Sequence, residues 1–254
     1  MESSTVAGPA WLVLPTYNEA ANIAAIVEAA RANLPDDARV LIVDDNSPDG
    51  TGGIADGLAA TDPAVEVLHR AGKEGLGPAY IAGFHRAIAG GAGFVLQMDS
   101  DFSHDPADLP RLLAAARDGA DLAIGSRYVP GGGVTDWSLL RRAISRGGSL
   151  YASLVLGVRQ RDLTGGFKCF RRRVLETIDL DAVAAKGYVF QVEMTYRTLQ
   201  AGFTVREVPI VFRDRQVGES KMSAAIAAEA TWQVPLLRRR LRDDHPRTSG
   251  RPRA

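Results

Sequence analysis

Two aspartates one residue apart, in Asp99-Ser100-Asp101, close a short apolar run and are the residues of this chain best suited to chemistry. Carboxylates so close repel each other unless a cation sits between them. Hard oxygen donors suit Mg²⁺ or Mn²⁺, which take a few carboxylates together with substrate phosphates. A solvated acidic turn or the cap of the next helix would use the same residues. Asp105 is the better cap because Pro106 follows it, so capping leaves Asp99 and Asp101 unexplained. A second acidic pair, Asp44-Asp45, precedes Asn46, Ser47, Pro48 and Gly50. It reads either as turn chemistry or as a carboxylate accepting hydrogen bonds from a nucleobase or ribose. Pro15-Thr16-Tyr17-Asn18-Glu19 ends a third apolar run.

The elements that must hold these turns alternate two periodicities. Trp11 to Pro15, Val40 to Asp44, Val65 to Arg70, Phe94 to Asp99 and Ala120 to Ser126 are apolar runs of strand length. Between them, Ile23, Ile26, Val27 and Ala30 share one helical face, and Leu109, Leu112, Leu113 and Ala116 share another. Asn18 and Asp49 are candidate N-caps, and Pro106 suits a first helical turn. Continuous apolar strands separated by helices predict an α/β fold, a mostly parallel central sheet with helices on both faces. In such sheets ligands bind beyond the carboxyl ends of the strands, where all three loaded turns would converge.

The second half is less regular. After Gly131 to Gly133 the pattern predicts a helix from Ser138 to about Leu156, with Leu140, Ala143, Ile144, Gly147, Tyr151 and Leu154 as its apolar stripe and Arg142 and Arg146 on another face. A helix over Phe190 to Ala201, a strand over Phe203 to Val211, a polar loop from Arg213 to Lys221 and a final amphipathic helix carrying Arg238 to Arg240 follow. Residues 1–9 are expected to be flexible, 10–242 to form one domain and 243–254 to be disordered. The helix after Ser138 and the final helix, with Ile226, Ala230, Val234 and Leu237, could lie on an anionic membrane or pack on the sheet.

With 30 basic and 30 acidic residues in 254, net charge names no partner, and no nucleic acid is expected. Cys169 is the only cysteine, which rules out an intramolecular disulfide and a cysteine metal cluster. The N-terminus lacks the basic flank and apolar core of a signal peptide. No stretch reaches the roughly 20 apolar residues of a spanning helix, so a cytoplasmic protein is expected. The first strand is not followed by Gly-x-Gly-x-x-Gly, and Glu74 after Gly72-Lys73 breaks the Walker pattern. A bound nucleotide would therefore not rest on a glycine-cradled phosphate loop. His69, His85, His104 and His245 are scattered, and Met98 and Trp137 read as packing.

Pro15-Thr16-Tyr17-Asn18-Glu19, Asp44-Asp45-Asn46-Ser47-Pro48-Asp49-Gly50-Thr51 and Asp99-Ser100-Asp101 together resemble the family 2 glycosyltransferases of the GT-A fold. More narrowly, the chain is similar to the polyprenol (dolichyl) phosphate mannose synthases. The likeness continues through Gly125-Ser126-Arg127-Tyr128, Ile144-Ser145-Arg146-Gly147, Asp162-Leu163-Thr164-Gly165-Gly166-Phe167, Gly187 to Met194 and Gly218-Glu219-Ser220-Lys221. Many blocks in one order are stronger than any one of them.

The resemblance implies GDP-mannose as donor, Mg²⁺ or Mn²⁺ as cofactor and a polyprenyl phosphate as acceptor, with inversion at the anomeric carbon. It implies that Pro15, Tyr17, Glu19, Val43 and Asp45 hold the nucleoside. Asp99, Ser100 and Asp101 would take the metal and diphosphate, and Arg127, Arg215 and Lys221 would reach phosphate groups. Asp99, Asp101 and Arg127 are thereby the candidate catalytic residues. Ser103 stands where several relatives carry Gln, a further metal ligand. Arg142, Arg146 and Arg213 are additional phosphate candidates, while Arg171, Arg172 and Arg173 read as surface charge. Glu193 could orient an arginine or the sugar, or form a structural salt bridge. The spanning helices of some relatives are absent, so the likeness implies a protein peripheral on the cytoplasmic membrane face, with an integral-membrane protein as a further candidate partner. Alternatives are a related transferase using UDP-glucose or another acceptor, a sugar nucleotidyltransferase, and a non-catalytic membrane scaffold.

Overall fold

The computed structural model describes residues 8–183, 185, 187–214 and 224–243, with only the backbone at 188, 224–230 and 242–243. The first half alternates β1 (Ala10–Thr16), α1 (Ile23–Asn33), β2 (Arg39–Asp44), α2 (Thr51–Thr61), β3 (Val65–His69), α3 (Leu76–Ala89), β4 (Phe94–Gln97), a 3-10 turn (Pro106–Asp108), α4 (Leu109–Arg117) and β5 (Leu122–Ser126). After it come β6 (Gly133–Val134), α5 (Leu139–Leu156), β7 (Lys168–Arg171), α6 (Arg172–Thr177), α7 (Gly187–Gln200), β8 (Val205–Pro209), β9 (Val211–Phe212) and α8 (Ala224–Asp243).

Seven strands form one sheet in the order β3-β2-β1-β4-β7-β5-β8. All neighbours run parallel except β7, which is antiparallel to both β4 and β5. This is the expected α/β architecture with one unforeseen central strand. Lys168 and Arg171 disguise β7 in the sequence, although Lys168, Cys169 and Phe170 are fully buried.

Side chains alternate between the two faces of a strand. From β1, Leu12 and Leu14 pack with Ile23, Ile26 and Val27 of α1 and Leu112 of α4. Trp11 and Val13 point the other way, onto Tyr80 and Phe84 of α3 and Phe190 of α7. The approach of α3 is close: a Cβ on Gly83 would lie 2.4 Å from a methyl of Val13.

Several local expectations are corrected. Asn18 is no cap; it sits at φ 59° in the turn after β1, while α1 begins after Asn22. Gly50 occupies the cap position of α2, and Asp49 instead takes the Thr51 N–H at 3.0 Å. The strand expected over Phe203 to Val211 is divided, because β8 joins the large sheet and β9 pairs with β6. Pro9 is tied down, its carbonyl accepting from the Gly93 N–H at 2.9 Å, and α8 runs through Asp243. The remainder of both expected flexible ends lies outside the described residues.

The face of α8 offered to a membrane is partly turned inward: Val234 and Leu237 pack with Ala152 and Leu156 of α5 and Val192 and Tyr196 of α7. On α5 the Leu stripe points outward instead, and Ser145, Ser149, Ala152 and Ser153 are the buried face. No helix among the described residues is long and apolar enough to cross a membrane.

Candidate active site

The carboxyl ends of β1, β2 and β4 open into a crevice of about 580 Å³. Its lining includes Pro15, Tyr17, Glu19 and Asp45, then Asp99, Ser100 and Asp101, and from the second half of the chain Arg127, Trp137, Arg141 and Thr164. The first residues of α3 and α7 also reach it, through Leu76, Gly187, Val189 and Gln191.

The three strand-end turns each contain a non-glycine residue in the left-handed region: Asn18 at φ 59°, Asn46 at 58° and Phe102 at 58°. Asparagine tolerates this conformation, whereas a bulky residue is an outlier there. The Phe102 turn is braced by Asp101, whose Oδ1 accepts the Ser103 N–H at 3.0 Å.

The Asp44-to-Thr51 block turns out to be a frame for the first turn. Ser47 Oγ accepts the Asn18 N–H at 3.1 Å, Thr51 Oγ1 the Glu19 N–H at 2.9 Å and Asp49 the Ala20 N–H at 3.1 Å. Three successive backbone donors are thus satisfied by side chains from the next strand-end loop. Asp44 is absorbed locally, accepting from Ser47 Oγ at 2.6 Å and facing His69 Nδ1 at 3.6 Å.

Asp45 does line the crevice, paired with Arg70. Burial pushes its carboxyl above the usual range, against the pull of Arg70. The Lys73 ammonium sits 3.8 Å from the centre of the Tyr17 ring, a cation–π contact at the rim. Val43, the fifth residue implied to hold the nucleoside, does not line the crevice. It lies one residue before the strand end, and the alternation of β2 sends its side chain into the core beside Val13.

Asp99 Oδ1 accepts from the Tyr80 hydroxyl at 3.0 Å, and Ser100 Oγ donates to the Pro15 carbonyl at 3.1 Å. Burial, and then the Asp99 carboxylate, raise the Tyr80 phenol well above its ordinary value, so it stays a donor. Beside them, buried Ser103 Oγ and His104 Nδ1 have no hydrogen-bond partner among the described residues. Burial lowers the His104 imidazole below its ordinary value, although Asp99 and Asp101 pull it the other way.

Two carboxylates and an orphaned hydroxyl, all oxygen donors at one open strand end, fit Mg²⁺ or Mn²⁺ completed by substrate phosphates. Among the described residues no group of three or more His, Cys, Asp and Glu side chains could hold a metal ion. The donor set therefore suits an ion that arrives with a phosphorylated ligand.

In the same lining, the Arg127 guanidinium is held by Asp162, with Nε at 2.7 Å and Nη2 at 2.6 Å. Nη2 also donates to Thr164 Oγ1 at 2.8 Å. Burial alone would raise the Asp162 carboxyl, but the Arg127 charge and its hydrogen bonds hold it below the ordinary range. The pair places a fixed cation in the lining of the same crevice as Asp99 and Asp101.

The other expected cations divide. Arg142, Arg146 and Arg213 do not line the crevice, and Arg213 pairs with Asp105 at 3.2 Å. Arg215 and Lys221 lie outside the described residues. Arg141, not singled out from the sequence, lines the crevice, bonds Asp214 at 2.6 Å and stands 4.3 Å over the Trp137 ring. Trp137 is thus a wall of the site rather than simple packing. Arg171 and Arg173 also have structural ties, to the Ala116 carbonyl at 2.9 Å and to Asp121. Glu193 is a structural ion pair, fully buried, holding Arg197 at 2.8 Å and Arg240 at 2.5 Å.

Sequence reasoning also missed Gln191. Its Oε1 accepts from Lys168 Nζ at 3.0 Å and from Gln97 Nε2 at 2.8 Å. Its Nε2 has no hydrogen-bond partner among the described residues. That nitrogen lies 3.4 Å from where a Cβ on Gly166 would sit, with Asp99 Oδ2 at 3.8 Å from the same point. Gly166 thereby leaves the floor between the amide and the aspartate open. The Gln-x-Glu at 191–193 was the one available signal.

The sequence model of glycosyl transferase family 2 matches residues 11–179. Polyprenol monophosphomannose synthase of Mycolicibacterium smegmatis is 49% identical over 224 residues, covering 88% of this chain and 84% of that protein. Undecaprenyl-phosphate mannosyltransferase of Micrococcus luteus is 50% identical over 222 residues, covering 87% and 90%. Among solved structures, glucosyl-3-phosphoglycerate synthase of Mycobacterium tuberculosis, in complex with Mn²⁺, UDP and glucosyl-3-phosphoglycerate, aligns with a TM-score of 0.66 at 19% identity. That alignment covers 97% of this chain and 84% of the other, and it shows a shared fold alone. Matched over more than half of its length, and half identical to relatives along most of theirs, the chain belongs to glycosyl transferase family 2.

Proposed function

We propose that this protein transfers mannose from GDP-mannose to a polyprenyl phosphate at the cytoplasmic face of a membrane, with inversion at the anomeric carbon. The observation that carries the reading is one crevice lined by an acidic pair, Asp99 and Asp101, and by a clamped cation, Arg127. Two relatives of about half identity, named for mannose transfer to polyprenyl phosphates, supply the substrate class.

Asp99 and Asp101 would hold Mg²⁺ or Mn²⁺ with the donor diphosphate. Such an ion, when bound, offsets charge on the departing nucleoside diphosphate. Pro15, Tyr17, Glu19 and Asp45 take the nucleoside side of the crevice. The attacking atom is a phosphate oxygen of the acceptor. A phosphate monoester has a second pKa near roughly 6, so it is largely ionised at neutral pH and needs no general base. Its oxygen bonds to the anomeric carbon as the bond from that carbon to the diphosphate breaks, and the electron pair leaves with GDP. Attack opposite the leaving group inverts the centre, through a transition state of oxocarbenium character.

The protein's task is then to bring two anions together. Arg127, fixed by Asp162 and Thr164, answers the charge of the acceptor phosphate without having to reorganise. Arg215 and Lys221 are assigned to the same task by their place in the family motifs.

The test is transfer of labelled mannose from GDP-mannose into an organic-extractable lipid, with polyprenyl phosphate and Mg²⁺ or Mn²⁺ supplied and Asp101→Ala alongside. Metal-dependent transfer that rejects UDP-glucose and vanishes in the variant is expected. Transfer from UDP-glucose, or no binding of GDP-mannose, would overturn the assignment.

A further inference from the structure

We propose that Gln191 is a specificity-determining residue whose amide N–H₂ donates to one hydroxyl of the transferred hexose, in an opening that Gly166 leaves beside it. The proposal rests on the reading that a nucleotide-linked hexose occupies the crevice. Gln191 stands in the second turn of α7 and lines the crevice. It is 3% exposed, yet its Nε2 has no hydrogen-bond partner among the described residues. A buried donor without a partner is costly, so one kept beside an open cavity marks a place for a ligand atom.

Three side chains ring the opening. A Cβ on Gly166 would lie 3.4 Å from Gln191 Nε2, 3.7 Å from His104 Cε1 and 3.8 Å from Asp99 Oδ2. His104 packs on Phe167 and Phe212, with ring centres 5.0 and 5.2 Å away. Its Nδ1 is a second buried polar atom without a hydrogen-bond partner among the described residues. Nothing in the packing asks for glycine at 166, because a Cβ there would make only ordinary van der Waals contacts. Nor does the backbone, since Gly166 is not among the residues at positive φ. What the missing side chain leaves is room for a ligand between an amide and a carboxylate.

Hydrogen-bond chemistry chooses the atom. An amide N–H₂ only donates and a carboxylate oxygen only accepts, so the atom between them must accept and donate at once. A sugar hydroxyl does both. A phosphate oxygen of either substrate only accepts and would meet Asp99 Oδ2 as a like charge. A carboxylate has further lone pairs, so Asp99 can take this hydroxyl and still serve an ion. Lys168 and Gln97 both donate to Gln191 Oε1, at 3.0 and 2.8 Å, so the amide cannot turn over to offer its oxygen. A donor at the oxygen also polarises the amide and strengthens its N–H₂. A site built this way rejects a sugar that lacks the hydroxyl, because the buried donor is then left unpaired.

A double-mutant cycle between protein and sugar tests this. Gln191→Glu keeps the length of the side chain and the oxygen that Lys168 and Gln97 bond, and exchanges the N–H₂ for an acceptor. Transfer is measured from GDP-mannose and from a series of GDP-deoxymannoses, each lacking one hydroxyl. Loss of the hydroxyl that Gln191 reads is expected to lower the wild-type kcat/KM at least about tenfold, and that of the variant by about twofold or less. GDP affinity, by calorimetry, should be the same in both. Gly166→Ala is expected to keep its Tm and its affinity for GDP while binding GDP-mannose more weakly than wild type. Equal sensitivity of wild type and Gln191→Glu to every deoxy donor would overturn the proposal, as would wild-type affinity of Gly166→Ala for GDP-mannose. GDP affinity falling in step with transfer in Gln191→Glu would give the amide to the diphosphate and overturn it too. If wild type uses UDP-glucose and not GDP-mannose, the donor assignment falls, and the same cycle with UDP-deoxyglucoses decides the role of Gln191.

Discussion

Lys168 Nζ donates to both the backbone carbonyl of Gln191, at 2.7 Å, and its side-chain Oε1, at 3.0 Å. Gln97 Nε2 donates to the same Oε1 and to the Gly166 carbonyl, each at 2.8 Å. Because a carbonyl only accepts, Gln97 must turn its N–H₂ to Gly166 and Gln191 its Oε1 to Gln97, so both amides are fixed in orientation. Gln191 can present only its N–H₂ to the crevice.

From this follows a kinetic prediction. Lys168→Met removes the donor that locks the amide while keeping the volume of the stem. It is expected to lower kcat by roughly ten- to a hundredfold through misplacement of Gln191. Affinity for GDP, measured by calorimetry, should stay within about twofold. A loss of GDP binding as large as the loss of kcat would show general disruption of the site instead.

The same lysine predicts a dependence of stability on pH. Burial lowers its pKa from 10.5 to about 7, with Asp162 pulling the other way. Below pH 7 both folded and unfolded chains carry the proton, and the penalty of the buried charge is fully present. Between about 7 and 10.5 the unfolded chain binds more protons, so stability rises with pH, and above that window the penalty is gone. Urea midpoints of wild type and Lys168→Met at pH 6.5 and pH 9.5 measure it. The wild type should gain on the variant as pH rises, and a pH-independent difference would contradict the assignment.

Arg127 and Asp162 are 5% and 0% exposed, so removing one partner strands a buried charge. Asp162→Asn is expected to destabilise the protein by about 3–5 kcal/mol, read by chemical denaturation at pH 7. The folded Asp162 carboxyl lies below its unfolded value, so its contribution is present above about pH 4 and lost as pH falls through the folded pKa. The stability gap between wild type and variant should therefore close toward low pH.

Tyr80→Phe deletes only the hydroxyl that donates to Asp99 and preserves the stack on Phe190, whose ring centre is 5.9 Å away. Losing a partner behind a metal-holding carboxylate typically weakens metal affinity or activity about 10–100-fold. Titration of activity with Mn²⁺ should show that shift with little change in Tm. An unchanged titration would remove Tyr80 from the metal's support.

By itself the sequence determined the α/β class and the strand-end turns whose residues line the crevice. Strand and helix periods are local, and a strand end followed by Asp-x-Asp needs no distant partner to be recognised. Tertiary structure decided what depends on pairs far apart in the chain. Gln97 and Gln191 are 94 residues apart, and only the insertion of β7 brings Lys168 between them. Val43 passes to the core because it lies inside β2, registered against Pro15 of β1, whereas Asp45 lies just past the strand end at the opening. On α5 the apolar stripe was legible but not its direction. A helix with one apolar and one serine-rich side can bury either, and the hydrogen bonds that Ser145 and Ser149 make with Tyr128 and Thr164 favour burying the serines.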